Sequence, residues 1–388
     1  MASWLNQTVQ HFSRKAHFHG GLFRHYSGSK KLHVVARAAS VELSSLHTKE
    51  QECKCCVSSY AMRDTVNEVT IPIKSDPTLR QRYKLYQRSA IWASIFKNMS
   101  IFAKCICYSH NQNTCGESPR VPMLIFPRNL EKLELGHISG WYDLILTGMV
   151  TWTGQEFMET TLELYQDKGG YSERCLSVRM LLEARDPSTG KPVMVNNIVP
   201  KGKEEVKRFQ QTQYRQDQIR NQTPNVPRRQ YPLVAKHARN SSVLKEVNTE
   251  IATNSQIIHP STNEQENILF KKIPSGFQME KAVEMAFETA NIFTGHRENL
   301  MMVYIDYIDI HRPASVHSSW KLTSQVVYTR KQCFQVAVMV EELDKCDKNN
   351  EPVSNFLFTF KSSLPRLPVV IPWRMTMEMR HLDYRVQE

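Results

Sequence analysis

The stretch NILFKKIPSGFQMEKAVEMAFETA, from Asn267 to Ala290, brings an asparagine, a Ser-Gly pair and a helical glutamate close together. An amide side chain such as that of Asn267 can orient a water or a carbonyl. Backbone N–H groups at a helix start, here Ser275-Gly276, can stabilise a developing oxyanion. A carboxylate such as Glu284 can serve as general base or nucleophile. Together these are parts for hydrolysing an activated acyl group, a thioester for instance. The same parts also build an ordinary capped helix. Ser275 is a natural N-cap, Gln278 completes a capping box, and Gly276 falls at the first helical position. Asn267 equally suits a loop turn. Glu280, Glu284 and Glu288, four apart, also describe a solvated stripe. No histidine stands at a spacing that would make Ser275 a nucleophile.

The helix that would carry this site is well marked. Met279, Val283, Ala286, Ala290 and Phe293 recur at alternating spacings of four and three, one face of a helix. An earlier helix, Ser89 to Tyr108 (SAIWASIFKNMSIFAKCICY), holds the equivalent place with weaker amphipathicity. Downstream of each lies the same pattern. LTGMVTWTGQEFMETTLEL begins at Leu146 and LTSQVVYTRKQCFQVAVMV at Leu322, 176 positions later. Leu146, Val150, Trp152, Met158, Leu162 and Leu164 match Leu322, Val326, Tyr328, Phe334, Val338 and Val340 without a gap. Alternation with polar residues predicts strands with one buried face, so Trp152 and Tyr328 are expected inside with the rest. Turns at Thr153-Gly154 and Thr329-Arg330-Lys331 predict two hairpins. The same offset carries Met180, Leu182 and Ala184 onto Phe356, Phe358 and Phe360. The chain therefore holds two copies of one long-stranded antiparallel unit, each expected to curve around its helix.

At 388 residues with 41% apolar content, the chain suits two packed domains. No apolar run reaches the roughly 18 residues of a membrane span. The net charge is +12, from 50 basic and 38 acidic residues. Arg14, Lys15, Arg24, Lys30, Lys31 and Arg37 all precede the first acid, Glu42, and account for half of that excess. An acid-free start with arginine, lysine and serine reads as a mitochondrial presequence or as a basic tail. Arg24-His25-Tyr26-Ser27 resembles a matrix processing site and favours the former, with cleavage near Tyr26. Nine cysteines at irregular spacing read as free thiols. Cys53, Cys55 and Cys56 lack a second pair at zinc spacing, so no metal is expected. Lys201 to Ser242 is polar, rich in glutamine, asparagine and arginine, and reads as a linker with a short helix in its first half. Its Arg228, Arg229 and Lys236 could meet phosphates or simply be solvated. Without interleaved aromatics this charge predicts no nucleic-acid partner.

RDTVNEVTIPIKSDPTLRQRY (from Arg63), CICYSHN (from Cys105), VTWTGQEFMETTLELYQ (from Val150), the Asn267 stretch and YIDYIDIHRP (from Tyr304) resemble the mitochondrial acyl-coenzyme A thioesterase 9 group. The resemblance runs in order from about Met62 to Leu367, through both copies and the linker. It implies an α+β fold of two tandem hotdog domains, each a long curved antiparallel sheet around a central helix. The implied map is a presequence 1–26, an N-terminal segment 27–61, hotdog domains 62–200 and 256–372, a basic linker 201–255 and a tail 373–388. The implied activity is hydrolysis of fatty acyl-CoA to free acid and coenzyme A in the mitochondrial matrix. It needs no cofactor beyond the coenzyme A of the substrate, and implies assembly into a homo-oligomer.

The family's site residues map onto Asn267 and Glu284, with the oxyanion-binding helix start at Ser275 and Gly276. The first unit departs from the pattern. Arg88 stands where the family has asparagine, Ala93-Ser94 where it has Gly-Arg, and Lys97, Asn98 and Ser100 where it is acidic. A catalytically weakened acyl-CoA-binding or regulatory paralogue is the alternative this implies.

Overall fold

The computed structural model describes residues 59–83, 88–111, 123–130, 133–136, 138–139, 141–222, 253–258, 275–295, 300–315, 318–343, 352–364 and 367–370. The expected presequence, the Cys53 cluster, Asn267, the linker arginines and the tail lie outside them, and so does the side chain of Arg88.

The first unit comprises β1 (Ser59–Tyr60), β2 (Asn67–Ile71), α1 (Pro77–Arg82), α2 (Arg88–His110), β3 (Leu124–Leu130), β4 (Leu133–Glu134), β5 (Asp143–Thr153), β6 (Phe157–Asp167), β7 (Ser172–Arg185) and β8 (Asn197–Ile198). Helix α3 (Lys203–Gln222) follows. The second unit comprises β9 (Thr253–Ile258), α4 (Ser275–Thr294), β10 (Met301–Ile310), β11 (Ser319–Arg330), β12 (Cys333–Leu343) and β13 (Pro352–Lys361). Among the described residues no helix is long and apolar enough to cross a membrane.

One sheet runs through both units in the order β2-β5-β6-β7-β3-β10-β13-β12-β11-β9, with β4 also paired to β10. The order is a palindrome about β3–β10: β5, β6 and β7 on one side answer β11, β12 and β13 on the other. Every pairing within it is antiparallel. This is the α+β double hotdog, two helix-bearing antiparallel units side by side. The seam between them pairs Leu130 with Ile308 and Asn129 with Asp309, and β4 extends it with Leu133 opposite Ile305 and Glu134 opposite Tyr304.

Helices α2 and α4 share one side of this sheet. Gly148 of β5 lies under Phe102 and Ile106 of α2, where a Cβ would come within 3.2 Å and 2.9 Å of those side chains. In the second unit Phe287 and Phe293 of α4 meet Phe360 and Phe334, with ring centroids 4.9 Å and 5.1 Å apart. Met279, Val283, Ala286, Ala290 and Phe293 are all buried, as their spacing requires. The two units contribute to a single continuous apolar core.

Both copies of the first hairpin carry a β-bulge at the same place, between Val150 and Trp152 and between Val326 and Tyr328. An extra residue on one strand reverses the facing of the residues beyond it. Val150, Met158, Val326 and Phe334 therefore pack in the core between sheet and helices. Trp152 and Tyr328 are also buried, but on the outer face, which corrects the expectation of one common face. Trp152 lies opposite Glu159 and donates its Nε1–H to Gln213 of α3 at 3.0 Å. Tyr328 joins Tyr307, Val327, Ala337 and Leu357 in a separate outer cluster.

A second correction concerns the third strand. Met158 pairs with Leu182, whereas Phe334 pairs with Phe360. Leu182 thus corresponds to Phe360, 178 positions on, and not to Phe358. A two-residue slip leaves every side chain on the same face, so alternation in the sequence does not reveal it.

The linker departs further. Its helix is 20 residues long and lies on the outer face of the first sheet. Glu159, buried there, accepts hydrogen bonds from Thr212 at 2.9 Å and Thr151 at 3.0 Å, and pairs with Arg215 at 3.1 Å. Strand β9 then begins at Thr253, just inside the expected linker. In the second hairpin Lys331 takes φ of 50°, the left-handed conformation of a tight two-residue connection.

Candidate active site

Helix α4 starts against the middle of α2. At Gly276 an added Cβ would stand 3.0 Å from the Lys97 carbonyl oxygen, 3.3 Å from the Lys97 Cα and 3.2 Å from the Ser100 Cβ. Glycine is what lets the two backbones approach. Ser275, Gly276, Phe277 and Gln278 are all buried. The first N–H groups of a helix have no intrahelical partner, and the helix dipole makes this end positive. An oxyanion is the species such an end stabilises best.

Gln278, expected to complete a capping box, reaches the strand behind the helix. Its Oε1 accepts from the Ser354 hydroxyl of β13 at 3.1 Å. The strand behind the helix thus supplies the donor that holds this side chain. Among the described residues, the Gln278 Nε2 and the Ser100 Oγ are buried without hydrogen-bond partners.

The residues singled out in the sequence fall in different places. Gly276 meets Lys97 and Ser100 of α2, and Ser275 is buried beside it. Glu284 does not join them. It is on the solvent side of α4, 46% exposed, and pairs with Lys281 at 2.9 Å. Lys281 in turn stands 5.5 Å from the Phe277 ring centroid. The solvated-stripe reading holds for Glu284 and Glu288, which are both exposed. It fails for Glu280. That carboxylate is only 17% exposed and forms a 3.0 Å ion pair with the Lys97 ammonium of α2. Sequence reasoning passed Glu280 over; the signal was a lysine at an expected acid position, with a glutamate four residues after the helix-start glycine.

The neighbouring position, Asn98, donates an amide hydrogen to the Tyr83 hydroxyl. Burial pushes the Tyr83 phenol well above its ordinary range, so it stays protonated. Of the three positions where an acid was expected on α2, one is a lysine with a carboxylate partner, one an amide bound to a phenol, and one an orphan hydroxyl.

A human protein, acyl-coenzyme A thioesterase 9, mitochondrial, is 28% identical over 373 residues, covering 90% of this chain and 82% of its own. Acyl-coenzyme A thioesterase 10, mitochondrial, of Mus musculus is 27% identical over 377 residues, again with 90% and 82% coverage. The chain is a divergent relative of these thioesterases. A plant protein, acyl-coenzyme A thioesterase 4, mitochondrial, of Humulus lupulus matches at 29% over 318 residues, 74% of this chain and 58% of its own. Among solved structures, a 12:0-ACP thioesterase from Umbellularia californica covers 77% of this chain and 98% of its own at 12% identity, with a TM-score of 0.44. No family profile matches the chain. These matches cover 90% of the chain, so they take in both units.

Proposed function

We propose that this chain hydrolyses fatty acyl-CoA to free acid and coenzyme A in the mitochondrial matrix. The observation that carries the reading is the match to the named thioesterases over 90% of the chain, across both units. The buried start of α4 supports it as the place for chemistry. In this reading the Gly276 N–H polarises the thioester carbonyl, with Ser275 beside it, and Asn267 holds the water or the carbonyl. The names of the relatives and the acid-free basic residues before Glu42 support the location. Homo-oligomerisation belongs to the same proposal.

A second reading is a catalytically weakened acyl-CoA-binding or regulatory protein. Lys97 and Ser100 at the start of α4, and the outward Glu284, favour it.

Steady-state assay of the mature protein with acyl-CoAs of graded chain length separates the two. Hydrolysis is expected, with Asn267→Ala lowering kcat and kcat/KM together by about 10²–10³ for a lost transition-state hydrogen bond. Binding of acyl-CoA without turnover establishes the second reading. N-terminal sequencing of the organellar protein should find a start near Ser27; an intact Met1 removes the import proposal.

A further inference from the structure

We infer that Glu280, delivered by α4 itself, is the carboxylate that serves the site at the start of that helix. The inference rests on the hydrolase reading above and names the proton-transfer group that reading lacks.

The first argument is direction. Side chains of a helix lean toward its N-terminus and cover the preceding turn. Glu280 is one turn below Gly276 on the face that meets α2, so its carboxylate lies toward the helix start. The second argument is its anchor. Lys97, whose backbone touches Gly276, grips that carboxylate at 3.0 Å. Compared with the family pattern, the acid has changed sides: α2 now offers the cation and α4 the anion. The third argument is the Ser100 hydroxyl. It is wholly buried, its Cβ packs at Gly276, and among the described residues its Oγ has no hydrogen-bond partner. An unpaired buried hydroxyl is costly, and a bound water offers it a partner.

In the proposed step Glu280 takes a proton from water as the water oxygen bonds to the thioester carbonyl carbon. The carbonyl oxygen becomes the oxyanion at the α4 N–H groups. Collapse breaks the carbon–sulfur bond, and the proton held by Glu280 passes to the departing thiolate. The products are the free acid and coenzyme A thiol, with no further reactant.

Glu280→Gln keeps the shape and still offers Lys97 an acceptor oxygen. It is expected to lower kcat at least 100-fold with KM changed less than about threefold, and to leave the thermal midpoint near the parent's. Glu280→Asp should recover part of the rate, and Glu284→Gln should be indistinguishable from the parent. A parent that turns over and a Glu280→Gln variant that keeps its kcat overturn this inference and leave the hydrolase reading intact. So does a rate loss matched by a lowered midpoint, which marks the pair as structural. A parent without hydrolysis of any acyl-CoA overturns both.

Discussion

Trp152 and Tyr328 occupy the same position in two copies of one strand, and both face away from the helix their strand packs against. The shared bulge just before them is the cause. In the first unit the outward ring is roofed by α3, with Gln213 accepting from the indole at 3.0 Å. In the second it joins an outer apolar cluster. One strand sequence thus serves two layers, and its two halves answer to different partners.

Phe334 tests the inner layer. It is fully buried, stacked on Phe360 at 5.6 Å and tilted against Phe293 at 5.1 Å. Phe334→Ala is expected to cost about 3–5 kcal/mol, read from the midpoint of urea unfolding at unchanged slope.

Arg215 tests the outer layer. Its partner Glu159 is 4% exposed, so losing the guanidinium takes a cation away from a buried carboxylate. Arg215→Met should cost about 1–3 kcal/mol. It should also hasten proteolysis within Lys203–Gln222, and Glu159→Gln in the same chain should restore part of the loss. Unchanged cleavage would mean that α3 is held by its other contacts.

Gly276 tests the helix crossing. In Gly276→Ala the new methyl meets a backbone carbonyl, which cannot rotate away, so α2 and α4 must part by a few tenths of an ångström. A destabilisation of about 1–3 kcal/mol is expected, with hydrolysis reduced beyond what the stability loss explains. A variant as stable and active as the parent would show that the crossing has slack.

Cys175 gives a pH-dependent readout. Burial is the main cause pushing its thiol up to about 11, with Glu173 adding to the shift. Since the thiolate is the reactive form and forms only as pH rises through that value, Cys175 should resist iodoacetamide at pH 8. Its labelling should rise steeply toward pH 11, measured by mass spectrometry of the native protein. Rapid modification at pH 8 would contradict the packed position.

The duplicated hairpins, the buried face of α4 and the two-unit plan were all legible in the sequence, because periods of 2 and about 3.6 record which face is covered. Three features were not. The bulge reverses facing without changing composition, so Trp152 looked like a core residue. The docking of α3 depends on Arg215, Gln213 and Thr212, polar groups that in sequence read as solvated linker. The Glu280–Lys97 pair joins residues 183 positions apart. Four-residue spacing pointed equally to Glu280, Glu284 and Glu288, and only the packing of α2 separates them. The approach of Gly276 to Lys97 and Ser100 was not readable either, since it joins two helices far apart in the chain.

The β3–β10 seam gives the chain an asymmetry of consequence. Had the two halves remained separate polypeptides, each would present a bare strand there, a row of free N–H and C=O groups open to any neighbour. Covalent fusion makes the correct neighbour permanently local, at an effective concentration no free partner matches. It also releases the halves from having to be identical. Each can then carry what the other lacks, as with Lys97 on one helix and its partner Glu280 on the other.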